Sequence, residues 1–180
     1  MLRSLMLSSA FAVMAASSAF AGQQYVDESK YALSGYDPVA YFDLEQVPVG
    51  QKQPEAVPGN ASITADYNGS VWAFSSEANR AKFLADPAKY APQFDGHCAY
   101  GVAQGGKVPG NPNLWRIVDG KLFLNITPNV VGFWEEDVNG HISSAGTKWT
   151  KLESKDASSK SWKAINANDG TYSKPAPQGS

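Results

Sequence analysis

Cysteine and methionine are nearly absent from this chain. It has one cysteine, Cys98, and three methionines, the last of which is Met14. A single cysteine cannot form a disulfide within the chain, so folding has to rely on packing and hydrogen bonds. An unpaired thiol in an oxidising compartment has to be buried, ligated or reactive. The lack of methionine beyond Met14 excludes a thioether copper site from the rest of the sequence.

Charge is also sparse and nearly balanced. Lys and Arg number 15, and Asp and Glu number 17, among the 180 residues, for a formal net charge of -2. No cluster of basic residues is present to neutralise phosphates, so we expect no nucleic-acid partner. The acidic residues form no pair typical of acid–base catalysis, and Glu135-Glu136-Asp137 is interpreted as a solvated helix face. The sequence therefore favours a non-enzymatic role.

A hydrophobic run is present only at the N-terminus. Arg3 is followed by an uncharged run that ends in Ala19-Phe20-Ala21. A basic start, an apolar centre and small residues at the cleavage point are typical of a secretory signal peptide. We expect residues 1–21 to be removed after Ala21, which leaves a periplasmic or secreted protein that begins at Gly22. No second apolar span follows, so we expect no membrane span in that protein.

Two hairpins are predicted from turn dipeptides. Asn68-Gly69 and Asp119-Gly120 each separate two runs that are rich in β-branched and aromatic residues. Such dipeptides supply the two positive φ angles that a tight type I′ turn requires. The predicted strands are residues 62–67, 70–74, 114–118 and 121–126.

A helical pattern follows each predicted hairpin. Ser75 or Ser76 is the expected N-cap of the first helix, and Thr127-Pro128 is expected to open the second. Gly140-His141 is interpreted as a turn after the second helix. Apolar residues recur at helical spacing in both segments and predict the buried faces. These residues are Ala78, Ala81, Leu84 and Ala85 in the first helix, and Val130, Val131, Trp134 and Val138 in the second.

The sequence predicts one small α+β domain, made of antiparallel β-hairpins packed with short helices. The C-terminal part turns polar, rich in Ser and Lys, and ends in Pro-Ala-Pro-Gln-Gly-Ser. Such a composition is typical of a disordered tail. The expected organisation is a signal peptide over 1–21, an irregular lead-in over 22–34, the domain over 35–152 and the tail over 153–180.

Several segments of the predicted domain resemble the YHS domain family. Some segments resemble the family in general. Others resemble an exported branch of the family, in which the YHS domain is followed by a Cys-Ala-Tyr-Gly segment and a Trp-rich C-terminal region. The resemblance implies an α+β fold over roughly residues 31–152. The segments are 37–39, 67–76 and 83–90 for the family, and 96–103 and 115–149 for the exported branch.

The resemblance also implies where a metal would bind. Metal-binding YHS domains carry one cysteine after Asp-Pro-Val and two more that flank the start of the helix. This chain has Ala40, Ser75 and Asn79 at the matching positions. Alanine and asparagine are poor replacements for a thiolate that binds a soft metal. The usual metal site of the family is therefore not carried over.

A different metal site is predicted around Cys98. His97 and Cys98 lie between two glycines that let the backbone bend, and a neutral imidazole with a thiolate suits copper or zinc. Asp95 and Asp37 are possible further ligands in this interpretation. The predicted metal ligands are Cys98, His97 and His141.

Two other interpretations of these residues stay open. Cys98 is also compatible with a buried apolar role, which is common because free cysteine is among the most buried residue types. It is also compatible with a redox or nucleophilic thiol, which would need a base within hydrogen-bond reach. His141 is compatible with a structural or exposed role.

The sequence therefore favours an exported binding or accessory protein of the cell envelope that handles copper or zinc through Cys98 and His97. The alternatives are a thiol-dependent enzyme or redox protein, and a structural or partner-binding module with no small ligand. Tryptophans could line a ligand pocket or stack on a sugar ring, but we expect them to build the core. They are Trp72, Trp115, Trp134 and Trp149.

Overall fold

The computed structural model describes residues 22–167. The predicted signal peptide (1–21) and residues 168–180 of the predicted tail lie outside the described residues. Two separate two-stranded antiparallel sheets are combined with short helices, which confirms the predicted α+β class. Within the described range, none of the helices has the length and hydropathy that a membrane span needs.

The regular elements are short. The strands are β1 (Asn60–Tyr67), β2 (Ser70–Phe74), β3 (Asn111–Val118) and β4 (Lys121–Asn125). The α-helices are α1 (Glu77–Ala85), α2 (Pro87–Tyr90), α3 (Ala99–Ala103), α4 (Pro128–Glu135), α5 (Val138–Leu152) and α6 (Trp162–Ala167). The 3₁₀ turns are Leu33–Gly35, Ala40–Asp43 and Gln93–Gly96.

Both hairpins form where the turn dipeptides predict them. Asn68 and Gly69 have φ angles of 50° and 70° between β1 and β2, and Asp119 and Gly120 have φ angles of 49° and 71° between β3 and β4. These left-handed pairs are the geometry of a type I′ turn, which matches the twist of the strands. The local chemistry of the turns therefore determines the register of the strand pairs next to them, whereas each sheet shifts register farther from its turn, between Asn60 and Thr64 and between Asn111 and Trp115.

Helix α1 begins at the predicted cap but buries a different residue. The Ser76 hydroxyl accepts a backbone hydrogen bond at 3.1 Å, as expected of an N-cap. Phe83 is fully buried and packs against Trp72 with ring centroids 5.1 Å apart. One aromatic ring buries more apolar area than several alanine methyl groups, so it sets the orientation of the helix. The predicted apolar face is wrong, because its four residues are exposed: Ala78, Ala81, Leu84 and Ala85.

The second helical segment is broken in two. Thr127 caps α4 as predicted, with its hydroxyl 3.3 Å from Val130 N. The predicted continuation through Val138 is wrong, because α4 ends and the Asp137 side chain caps a new helix, α5. His141 consequently lies inside α5 rather than in a turn after a helix. An Asp cap inside an otherwise helical pattern is the local reason for the break.

Arg116 and Glu135 form a buried ion pair. The Arg116 Nη2 and Glu135 Oε1 atoms are 2.6 Å apart, and the side chains are only 8% and 3% exposed. The interpretation of Glu135 as part of a solvated face is therefore wrong. The guanidinium also donates to the carbonyls of Val47 and Pro48, and the carboxylate accepts from Gly50 N. The pair thus fastens the proline-rich loop before β1 to β3 and α4.

Three of the four tryptophans predicted to build the core are buried. Trp72, Trp115 and Trp134 are at most 3% exposed, which confirms the prediction for them, and Trp149 is half-buried. The main core cluster joins residues from both hairpins and from α1. Its largest members include Tyr41, Trp72, Phe74, Phe83, Trp115 and Leu122.

Residues 153–167, which follow α5, pack against the domain. The sequence predicts a disordered tail for this segment, so the structure differs from the prediction there. Trp162 Nε1 donates to Ser34 Oγ at 2.9 Å and to Asp27 Oδ2 at 3.1 Å. Lys107 Nζ donates to the Glu153 carbonyl at 3.0 Å. The segment is polar in composition, but backbone hydrogen bonds and one tryptophan supply the contacts that hold it.

The burial of α1 gives a direct stability prediction. Replacing Phe83 with Ala should cost about 3–5 kcal/mol of unfolding free energy, because a fully buried ring leaves a cavity. Leu84→Ala is the matched control on the same helix, and its side chain is 51% exposed. That variant should change stability by no more than about 0.5 kcal/mol. Urea unfolding of both variants is the test, and equal losses would contradict the assigned orientation of α1.

Candidate functional site

His97 lies at the centre of a tight backbone loop. Phe94 and Asp95 have φ angles of 57° and 51°, a left-handed conformation that is unfavourable for residues with side chains. This bend brings His97 Nδ1 within 2.8 Å of the Phe94 carbonyl. His97 Nε2 accepts a hydrogen bond from Ser158 N at 3.1 Å, so the proton of the neutral ring lies on Nδ1. Both ring nitrogens are therefore engaged.

The environment of His97 keeps the imidazole neutral. The residue is fully buried, and its ring lies between Tyr25 and Trp149, with centroid distances of 5.8 and 6.1 Å. Desolvation lowers the pKa of His97 to about 4, despite an opposing contribution from the Phe94 carbonyl. Neutral imidazole is the form that binds metals, but its Nε2 lone pair is occupied by the Ser158 amide.

Cys98 points into a different, apolar cluster. The residue is fully buried and packs with Ile126 and Val130. Its Sγ accepts a hydrogen bond from Gly101 N at 3.3 Å and lies 3.5 Å from Asn125 Oδ1. Burial raises the pKa of the Cys98 thiol to about 11, so the group is protonated at neutral pH. A buried, protonated thiol is a poor nucleophile and a poor metal ligand.

His141 has a third set of partners. Its Nδ1 lies 3.0 Å from the Trp134 carbonyl, and its ring meets the edge of Tyr100 at 5.1 Å. Residues 22–167 contain no group of three or more His, Cys, Asp or Glu residues placed to hold a metal ion. The structure therefore places His97, Cys98 and His141 in separate surroundings, and metal binding by them stays a prediction.

A buried carboxylate contacts Ala40, Ser75 and Asn79, the three positions at which the resemblance implies cysteines in metal-binding YHS domains. Asp37 is fully buried, and its Oδ1 accepts from the amides of Val39 and Ala40 at 2.9 and 3.3 Å. Its Oδ2 accepts from Ser75 N and Ser75 Oγ at 2.8 and 2.6 Å, and from Asn79 Nδ2 at 2.7 Å. Five hydrogen bonds thus satisfy the Asp37 carboxylate, and all five donors are uncharged groups.

The residues of this cluster do not fit a soft metal. Ser75 and Asn79 both use their side chains as donors toward Asp37, and Ala40 offers only a methyl group. Soft metals need thiolate or imidazole ligands, which are not present in this set. The bonds from Ser75 and Asn79 to Asp37 were not predicted, because they connect residues far apart in the chain.

A separate cleft of about 380 Å³ lies between the lead-in, the first hairpin and α6. Tyr31, Tyr36 and Trp162 contribute aromatic side chains to its wall, and Ser34 and Lys163 contribute polar ones. No pattern in the sequence indicates this cleft. Its position depends on how the C-terminal segment packs back onto the lead-in, which no local pattern reveals.

The polar groups of the cleft hold its wall in a fixed arrangement. The two hydrogen bonds from Trp162 Nε1 to Asp27 and Ser34 fix the edge of the indole. Lys163 Nζ lies 3.2 Å from Glu28 Oε1 and 3.9 Å from Asp27 Oδ2, so its charge is balanced within the protein. The cleft therefore combines fixed aromatic surface with a local charge that does not attract an anion.

Comparison with known proteins gives one result. Residues 53–94 match the family model of the YHS domain, which confirms the resemblance at the level of the family. The match covers less than half of the 180-residue chain; it includes Ser75 and Asn79 but not Asp37. Nothing matched the chain among the curated proteins or among the solved structures. The assignment to an exported branch stays a prediction.

The burial of His97 predicts a dependence of stability on pH. The pKa is about 4 in the folded protein and 6.5 for an ordinary histidine, so the unfolded chain takes up the proton first as the pH falls. The contribution of His97 to the free energy of unfolding is therefore present above pH 6.5, and it decreases as the pH falls toward 4. Between pH 7 and pH 5, the loss should be about 2 kcal/mol.

The control for this prediction is His97→Gln, whose amide does not titrate but keeps one donor and one acceptor. Urea unfolding at pH 7 and pH 5 gives the loss of unfolding free energy between the two pH values for each protein. This loss should be about 2 kcal/mol larger in the wild type than in His97→Gln. Equal pH dependence in the two proteins would show that His97 is not buried in its neutral form.

Proposed function

We propose that this chain, in which residues 53–94 match the YHS domain, is an exported binding or accessory protein of the cell envelope. Removal of residues 1–21 after Ala21 and a periplasmic or secreted location belong to the same proposal, and the signal-peptide pattern supports them. The observation that carries the binding role is the cleft around Trp162, whose indole is held in place before any ligand arrives. Preorganisation of this kind lowers the entropy cost of binding.

The chemistry of the cleft favours a neutral, ring-shaped ligand such as a saccharide unit. Tyr31, Tyr36 and Trp162 line the cleft and offer apolar area, while Ser34 adds a polar group at the wall. Ligand sites commonly combine a mostly apolar wall with a few polar groups that orient the ligand. The Lys163 charge is balanced by Asp27 and Glu28, so an anionic group gains little there.

The geometry argues against a thiol-dependent enzyme. Nucleophilic cysteines need a lowered pKa and a nearby base, whereas burial raises the pKa of Cys98 to about 11. His97 cannot act as that base, because its ring nitrogens face Phe94 and Ser158.

Copper or zinc binding through Cys98 and His97 is a separate proposal, supported by the YHS family match, which suggests a metal-associated role, and by the affinity of thiolate and imidazole for these ions. It requires the Ser158 amide to leave His97 Nε2, and it requires the buried Cys98 thiol to lose its proton. Both changes cost free energy, so a metal would have to compensate for them.

Titration with N,N′-diacetylchitobiose, a neutral saccharide, tests the cleft. Binding followed by NMR amide shifts should move the signals of Gly35 and Gly59, which line the cleft. Trp162→Ala should weaken binding at least about tenfold, because it removes the fixed aromatic face. Trp149→Ala is the matched control, since Trp149 packs on Phe94 rather than on the cleft. No shift at these glycines, or equal weakening by both variants, would contradict the proposal.

A metal arm of the same titration uses Zn²⁺ and Cu⁺. Shifts centred on His97 and Cys98 that disappear in Cys98→Ala would support metal binding instead. Unchanged spectra with both ions would eliminate the Cys98 and His97 site.

A further inference from the structure

Asp95 leaves one buried atom unsatisfied within residues 22–167. Its Oδ2 is shielded from solvent and has no hydrogen-bond partner. Desolvation raises the pKa of this carboxyl group, although the Lys107 charge opposes the shift. Lys107 does not satisfy the oxygen, because its Nζ donates to the carbonyls of Glu153 and Lys155. Buried polar atoms without a partner are rare in folded proteins and call for an explanation.

Gly22 lies directly against this oxygen. A Cβ atom built on Gly22 would lie 2.5 Å from Asp95 Oδ2, and it would also meet the carbonyl oxygen of Glu153. Carbon at this distance is a clash, which explains why a residue without a side chain is suited to the position. For a nitrogen donor, however, the same place lies between two hydrogen-bond acceptors, and a shift of a few tenths of an ångström away from both oxygens gives ordinary N–H···O distances. It therefore suits a cationic donor.

The neighbouring contacts hold Gly22 in position. Its carbonyl oxygen accepts from Asn68 Nδ2 at 3.2 Å, and Gln23 Oε1 accepts from Ala157 N at 2.9 Å. The Asp95 carbonyl accepts from Tyr25 N at 2.8 Å. The lead-in is thus tied to the Asp95 loop, to the first hairpin and to the segment after α5.

A free amine at Gly22 can reach the two acceptors by one rotation. The amino nitrogen and the Cβ position are both tetrahedral substituents of the Gly22 Cα atom. Rotation about the Cα–C bond carries the nitrogen to the Cβ position while the anchored carbonyl stays in place. The nitrogen of an intact Ala21–Gly22 peptide bond is not free to do this, because it is bonded to the preceding chain. Cleavage is therefore what makes the donor available.

We propose that removal of residues 1–21 creates an α-ammonium group on Gly22 that binds Asp95 Oδ2 and the Glu153 carbonyl, so that processing completes the fold. Hydrolysis of the Ala21–Gly22 peptide bond consumes one water and leaves a carboxylate on Ala21 and an ammonium on Gly22 at neutral pH. The inference rests on the cleavage site proposed above. The resulting ion pair joins the new N-terminus to the Asp95 loop and to the end of α5.

The test compares the chain that begins at Gly22 with a free amine and the same chain acetylated at Gly22. Acetylation removes the charge, so the equilibrium constant of unfolding should rise about tenfold. The melting temperature should fall by roughly 3–6 °C for a chain of this size. Asp95→Asn provides the matched background, in which acetylation should have little effect. An equal effect of acetylation in both backgrounds, or no effect in either, would overturn the inference.

A second measurement does not depend on stability. The Gly22 amine of the folded protein should react slowly with an amine-specific acylating reagent near neutral pH, and faster in Asp95→Asn. Equal rates in the two folded proteins would contradict the ion pair. Mass spectrometry of the exported protein determines its N-terminus independently. An N-terminus other than Gly22 would refute the proposed cleavage, whereas the two Gly22 comparisons separately decide whether an amine there pairs with Asp95.

Discussion

The Asp37 carboxylate is the contact on which the arrangement of the N-terminal half depends. It is fully buried, and it accepts hydrogen bonds from the start of the Ala40–Asp43 turn, from the residue after β2 and from α1. The turn carries Tyr41 into the core, where its hydroxyl donates to the carbonyl of Pro112 in β3 of the second hairpin. Asp37 therefore links the Ala40–Asp43 turn, the end of β2 and α1 through one side chain.

A second organising region is the loop that precedes Cys98. The left-handed conformations of Phe94 and Asp95 turn the backbone carbonyls of these residues toward His97 and the lead-in. His97 in turn accepts the Ser158 amide from the segment after α5. Both ends of the described chain are thus held by one strained loop. The cost of the strained backbone is offset by the hydrogen bonds that it makes possible.

Local features of the sequence were sufficient to predict the hairpins and the N-caps of α1 and α4. Asn68-Gly69 and Asp119-Gly120 determine the turns through backbone angles alone, so no tertiary contact had to be known. The face of α1 could not be predicted in this way, because one buried ring, Phe83, outweighs a periodic pattern of alanines. The fold of residues 153–167 was missed for a related reason, since its docking depends on Trp162 and backbone bonds rather than on composition.

The candidate site was predicted less well than the fold. Adjacent residues such as His97 and Cys98 suggest a shared site in the sequence, but they face different surroundings in the structure. The Asp37 cluster and the cleft at Trp162 are both made by residues far apart in the chain. Local sequence patterns relate residues that are close together in the chain, so they cannot predict such contacts.

The free energy of unfolding of Asp37→Asn, measured with and without a metal chelator, tests the account most directly. An amide cannot accept at both of its ends, so donors at Ala40, Ser75 or Asn79 lose their partner. The expected loss is about 3 kcal/mol or more. A chelator should leave the wild type unchanged, because hydrogen bonds rather than a metal join these elements. An Asp37→Asn variant with the same free energy of unfolding as the wild type would contradict the account, and so would a wild type that the chelator destabilises.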